Sequence, residues 1–233
     1  MPERLPTIDS DPENKDNNEP MLEEIAELEE PIKKIIMKIK ERIEGGEYGL
    51  VIGDDASGRI PARIIGGFIR KVSEQRGMEK PNIIFIPGKL SISEAESISI
   101  LEDHLEKYGA TKDKKILIVT DTVKSGESLG ALVQLIKKLG YGCEIATIGL
   151  EKPILGISDR LHNLRSTKII SGRFRNIDNG SHTPQIYRSN SRGVSKRTGY
   201  WVSNREENQS LVNESREDAN ILTDRLLEWY SNK

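Results

Sequence analysis

Residues 116–128 read ILIVTDTVKSGES, and the LGALVQLIKKLG that follows keeps its apolar residues at helical spacing. An apolar run of four bounded by polar residues predicts a central strand of a parallel sheet, and the amphipathic stretch predicts a helix packed back onto it. Ser125 and Ser128 then stand at or just inside the helix start. There the first backbone N–H groups have no intrahelical partner and the macrodipole is positive, so a phosphate in the turn gains charge-assisted hydrogen bonds. Gly126 lets the backbone approach without a Cβ in the way. Asp121 stands at the carboxyl end of the strand, where ligands bind in open α/β sheets; when ionised it only accepts, and sugar hydroxyls are natural donors to it. The same residues also suit a purely structural unit in which Ser125 is the helix N-cap.

Residues 48–72, YGLVIGDDASGRIPARIIGGFIRKV, repeat the arrangement: apolar strand, polar turn with a glycine, apolar-rich helix. Ala56, Ser57 and Gly58 offer backbone N–H groups, and Arg59 offers a planar fork suited to phosphate oxygens. Asp54 and Asp55 beside a phosphate would repel it unless a divalent cation intervenes, and Mg²⁺ prefers carboxylate, water and phosphate oxygens. The other use for either acid is as a cap or turn residue before the helix. Further strands read at NIIFIP (82–87), at CEIATIGL (143–150) and at about 167–171. Strands alternating with helices predict an α/β fold, an open and mainly parallel sheet flanked by helices. All strand carboxyl ends then point one way, so phosphates held at 54–59 and at 121–128 belong to one edge and could belong to one ligand.

The strand, acid, turn and Ser-Gly-x-Ser loop of 116–128 resemble the phosphoribosyl-pyrophosphate (PRPP) signature of the type I phosphoribosyltransferases, and 48–72 resembles that family's first strand and pyrophosphate loop. The resemblance covers about residues 45–175. It implies that Thr120, Asp121, Thr122, Lys124, Ser125, Gly126, Glu127 and Ser128 hold the ribose and 5′-phosphate, with Asp121 the catalytic acid. Asp55, Ala56, Ser57, Gly58 and Arg59 hold the pyrophosphate, and Mg²⁺ arrives with PRPP near Asp54 and Asp55. The implied activity is transfer of the phosphoribosyl group to a nitrogenous base. The family usually has two adjacent acids where this chain has Thr120 and Asp121; Thr120 forms hydrogen bonds but carries no charge, which bears on rate more than on binding. The family's lid over the reaction centre falls in 88–115, where Lys89 is the basic residue at the start: a phosphate contact, or a solvated surface lysine. The rest of that segment reads as a helix from about Ser93 to Tyr108, with Ser93 and Glu96 at capping-box spacing and Ile98, Leu101 and Leu105 on one face.

The chain of 233 residues carries a net charge of −2, which argues against a nucleic-acid binder that uses its whole surface. One cysteine, Cys143, falls in a strand pattern; a buried structural thiol in a reducing cytosol fits, and the expected location is cytoplasmic. No apolar run approaches a membrane span, and the acidic, Pro-containing start is not a signal peptide. His104, His162 and His182 show no metal-ligand spacing. The segmentation reads as a disordered acidic tail at 1–20, a helical extension at 21–46 with Pro31 as a break or second helix start, and the α/β core at 47–175. A basic, hood-like irregular region follows at 176–210 and a C-terminal helix at 211–233, with Asn213 or Ser215 as its cap.

In the hood-like region and just before it, Phe174, Tyr187, Tyr200 and Trp201 offer faces for a flat ring, and Arg173 or Arg175 could offset a substrate phosphate or carboxylate. The alternatives are a basic loop closed onto the domain by its aromatics, or a surface for RNA or single-stranded DNA between 159 and 205. Three functions follow from these readings. They are a phosphoribosyltransferase, a non-catalytic sensor of PRPP or a nucleotide, and, less favoured, a nucleic-acid-binding module. A homodimer through the added terminal helices is an open expectation.

Overall fold

The computed structural model describes residues 21–54, 58–86, 93–123, 126–151, 164, 166–175 and 205–233. Three short helices come first, α1 (Glu23–Ala26), α2 (Glu29–Lys38) and α3 (Lys40–Glu44). Glu29 and Glu30 meet the positive end of α2, and Pro31 sits in its first turn, where a missing N–H is tolerated, so Pro31 starts a helix. The run stops at Gly46, whose φ of 64° is the left-handed turn that ends helices. Strand β1 (Tyr48–Asp54) and helix α4 (Arg59–Gln75) follow, then β2 (Asn82–Ile86), α5 (Glu94–Lys107) and β3 (Lys115–Val123). Helix α6 (Glu127–Lys138), β4 (Cys143–Glu151), β5 (Ile169–Arg175) and the 27-residue α7 (Arg205–Ser231) complete the described chain.

The five strands form one sheet in the order β2-β1-β3-β4-β5, every neighbouring pair parallel. The expectation of an open parallel α/β sheet with added terminal helices is met. Alternation along each strand divides the core between the two faces. Val51, Leu117, Val119, Ala146 and Ile170 face the layer made by α1–α4 and α7. Leu50, Ile52, Ile84, Ile116, Ile118 and Ile145 face α5 and α6. Ser93 caps α5 in a full capping box with Glu96, as its spacing predicts.

Four boundaries differ from the sequence reading. The strand after residue 115 does not end at Val119 but runs through Asp121 to Val123, because pairing with β4 continues through Thr122 and Val123. The last strand, expected at about 167–171, runs Ile169–Arg175, so Arg173 lies in the sheet; its guanidinium donates to the Glu27 carbonyl at 2.9 Å and ties down the helical extension. Helix α7 begins at Arg205, ahead of the expected 211, so neither Asn213 nor Ser215 is its cap. Ser215 is instead buried within the helix, among residues that pack on the domain. The N-cap of α6 is Gly126 and not a serine.

The two terminal additions are built into the domain. Lys38 Nζ donates to the Ser171 carbonyl at 2.7 Å, and a Cβ on Gly172 would lie 2.6 Å from the Pro31 carbonyl oxygen, so only glycine admits α2 this close to β5. Asp218 of α7 accepts the Leu22 N–H at 2.8 Å, which satisfies a donor at the start of α1. Phe68 of α4 and Tyr230 of α7 meet edge to face at 5.2 Å. At the amino edge of the sheet, Glu144 accepts the Tyr48 hydroxyl at 2.8 Å and pairs with Arg42 and Lys115.

Cys143 is buried as expected, and burial pushes its thiol above the ordinary value, with Lys137 opposing and Glu144 reinforcing the rise. Little thiolate is therefore present near neutral pH. A disulfide reagent at pH 8 should label the native protein on the order of tenfold or more slowly than the denatured chain. Equal rates in the two states would show that Cys143 is not enclosed.

Candidate functional site

The strand order 2-1-3-4-5 reverses direction at one place, between β1 and β3. In open parallel sheets the crevice beyond the carboxyl ends at such a reversal is where ligands bind, because the connections on either side leave over opposite faces and part the loops. Both candidate loops open there. The first follows Asp54 at the end of β1, and the second follows Val123 at the end of β3; the pairing of Gly53 with Val119 sets Asp54 beside Thr120.

Several backbone and side-chain contacts shape the crevice. The Gly58 N–H donates to the Asp54 carbonyl at 2.7 Å, which closes the first loop onto its own strand. A Cβ on Gly58 would lie 2.2 Å from the Val119 carbonyl oxygen and 2.6 Å from the Asp54 nitrogen. Gly58 has an ordinary φ of −89°, so what demands glycine is the close approach of the loop to β1 and β3. Arg59 opens α4, with its guanidinium carbon 5.4 Å from the centre of the Phe85 ring. Gly53 makes room for that ring: a Cβ there would meet Phe85 at 2.7 Å.

On β3, Thr120 is buried and its hydroxyl donates to Asp54 Oδ2 at 3.4 Å. Asp121 is half-buried, and its Oδ1 accepts the Thr122 N–H. Gly126 takes a φ of 69°, a left-handed conformation that turns the chain into α6 and that a side chain would strain. The Gly130 N–H donates to its carbonyl at 2.7 Å. Glu127 and Ser128 are the first two residues of α6, so their backbone N–H groups are among those without an intrahelical acceptor.

Of the residues singled out in the sequence, the fold thus brings Asp54, Gly58, Arg59, Thr120, Asp121, Thr122, Gly126, Glu127 and Ser128 to one edge at two adjacent strands. Asp55, Ala56, Ser57, Lys89, Lys124 and Ser125 lie outside the described residues, as do Tyr187, Tyr200 and Trp201.

One contributor was not foreseen. Thr147 is fully buried in β4, with its hydroxyl 2.8 Å from the Gly149 carbonyl and 3.2 Å from that of Asp121. It holds the backbone of β3 at the position where the acid projects. The signal was a lone threonine in the otherwise apolar heart of CEIATIGL, which a buried hydroxyl tolerates only with a partner.

Among the described residues no group of three or more His, Cys, Asp or Glu is placed to hold a metal ion. No helix of the described residues is long and apolar enough to cross a membrane.

No protein-family profile matches the chain. Among curated proteins it is similar to an adenine phosphoribosyltransferase of Shewanella pealeana, with 35% identity over an alignment of 92 residues that covers 36% of this chain and 49% of the relative. The chain therefore spans about half the length of that relative. The resemblance read from the two loops is met by this relative and by an all-parallel α/β sheet consistent with the type I phosphoribosyltransferases.

Proposed function

We propose, from a likeness to the type I phosphoribosyltransferases carried by both sequence and fold, that this chain binds PRPP with Mg²⁺ and transfers its phosphoribosyl group to a nitrogenous base, releasing pyrophosphate. The observation that carries the reading is the position of the two loops on either side of the sheet's reversal point, at adjacent strand ends. A ligand with a phosphate group at each end and a sugar between them suits that spacing. In this reading the backbone N–H groups of residues 126–128, at the positive end of α6, meet the 5′-phosphate. Asp121 accepts hydrogen bonds from the ribose hydroxyls, and the first loop with Arg59 meets the pyrophosphate. The protein's contribution to the transfer is position and electrostatics: a carboxylate beside a ribose that gains positive charge stabilises it as the bond to pyrophosphate lengthens.

The donors present suit Mg²⁺. Among the described residues they are oxygens, from Asp54 and Asp121, and too few for an all-protein cage, and Asp55 follows Asp54 in the chain. That is how Mg²⁺ is usually held, by one or two carboxylates together with substrate phosphates and water. When bound it would neutralise part of the pyrophosphate charge.

The test is calorimetric titration with PRPP and Mg²⁺, with Asp121→Asn and Ser125→Ala run beside the wild type. Loss of the charged acceptor should weaken PRPP binding about tenfold or more. Wild-type affinity in both variants, or no binding by the wild type, would sink the reading. Thr120 favours a second reading. It puts a neutral, buried hydroxyl where the family carries an acid, which suits a sensor that binds PRPP without turnover. Saturable binding with no product from any of the common nucleobases would select that reading.

A further inference from the structure

We infer that Asp54 and Thr120 form a staple that registers the two loops against each other, so that one ligand can engage both. The inference rests on the phosphoribosyl reading above and names the residues that make its two half-sites act as one. Asp54 is held from two directions. Its carbonyl accepts the Gly58 N–H at 2.7 Å, so its backbone closes the first loop. Its carboxylate accepts the Thr120 hydroxyl at 3.4 Å, so its side chain is directed by the strand that leads into the second loop. Thr120 is 2% exposed and lies in a strand paired on both sides, which makes it the fixed partner of the two. Gly58, in turn, rests on the Val119 carbonyl, the residue before Thr120. The first loop and the strand end that leads into it therefore meet β3 at two consecutive residues, Gly58 through backbone packing on Val119 and Asp54 through its side chain on Thr120.

At 3.4 Å the Thr120 to Asp54 contact is at the long end of hydrogen bonding, so what it supplies is direction more than energy. Direction is what a ligand with two anchors needs. When each end is held by a separate loop, the second end binds at an effective concentration set by how well the loops are held in register. A staple between the loops acts on that coupling and leaves each half-site's own donors in place.

The experiment compares three probes by calorimetry in the presence of Mg²⁺: ribose 5-phosphate for the second loop, inorganic pyrophosphate for the first, and PRPP for both. Thr120→Val keeps the shape and removes the donor of the staple while Asp54 keeps its carboxylate. It should lower PRPP affinity about tenfold while changing the affinities for ribose 5-phosphate and pyrophosphate less than about twofold. Asp54→Ala removes the acceptor and also an oxygen donor for Mg²⁺, so it should lower pyrophosphate affinity as well; adding Thr120→Val to it should weaken PRPP binding no further, and Thr120→Ser should restore wild-type affinity. If Thr120→Val lowers the affinity for either fragment as much as that for PRPP, Thr120 is a direct ligand contact and the staple is overturned. Unchanged PRPP affinity in Thr120→Val overturns the staple and leaves the PRPP reading standing. A wild type that binds PRPP no more tightly than its two fragments overturns both.

Discussion

Gly58→Ala is expected to weaken PRPP binding about a hundredfold while the protein still folds. The new methyl carbon would stand 2.2 Å from the Val119 carbonyl oxygen, 2.6 Å from the Asp54 nitrogen and 2.8 Å from the Asp54 oxygen. All three atoms belong to the backbone of paired strands, so no side chain can rotate out of the way. Either the loop lifts off the strand ends or β1 and β3 part, and the second would disturb a sheet buried on both faces. The loop gives way, with an overpacking penalty of about 1–3 kcal/mol. Lifting it breaks the Gly58 to Asp54 hydrogen bond and removes the first loop's donors from the crevice. The checks are calorimetry for binding and urea denaturation for stability. A variant that binds PRPP like the wild type would show that the tight closure of the first loop plays no part in the site.

The sequence carried the fold because its signals are local. Apolar runs of four or five with helices between them admit few arrangements other than a parallel sheet, and Asp121 and Gly126 fall where a strand gives way to a helix. What stayed hidden depends on neighbours distant in the chain. Whether β3 or β2 stands next to β1 on the site's side is a matter of strand order, and that order is what puts Asp54 beside Thr120, 66 positions further along. The end of β3 was misread for a related reason: TDTV is polar enough to read as a turn, yet β4 pairs with it and Thr147 bonds its backbone. Arg173 read as a cation that could offset substrate charge, and its tie to the Glu27 carbonyl stayed hidden because that acceptor lies 146 positions earlier. The cap at Asn213 or Ser215 failed because a helix start cannot be distinguished from a polar residue inside a longer helix when the segment before it is polar as well.

The largest stability loss is expected far from the crevice, at Glu144. This residue is 6% exposed, and three donors converge on its carboxylate: the Tyr48 hydroxyl at 2.8 Å, Arg42 Nε at 3.3 Å and Lys115 Nζ at 3.5 Å. Lys115 is partly solvated and also pairs with Glu47 at 2.8 Å, so water and a second acid can compensate it. Tyr48 and Arg42 have less recourse: the Tyr48 side chain is buried with the core, and Arg42 is largely covered. Glu144→Ala leaves a buried hydroxyl and a covered cation without their acceptor, and breaking one side of such a network costs about 3–5 kcal/mol. Chemical denaturation should show that loss, and a change under about 1 kcal/mol would mean that solvent replaces the carboxylate freely. The same contact sets a pH response. Burial first, then the hydrogen bond to Glu144 and the Glu144 charge, push the Tyr48 phenol above its ordinary value of 10.0. A group whose pKa is raised on folding binds its proton more tightly in the native state, so its contribution is complete below about pH 10 and declines as the pH climbs above it. Wild-type stability should therefore fall on the alkaline side with a slope that approaches about 1.4 kcal/mol per pH unit from this residue. Tyr48→Phe, which has no proton to lose, should be less stable at pH 7 but should lack that part of the alkaline decline; parallel stability curves for the two proteins above pH 10 would rule out the coupling.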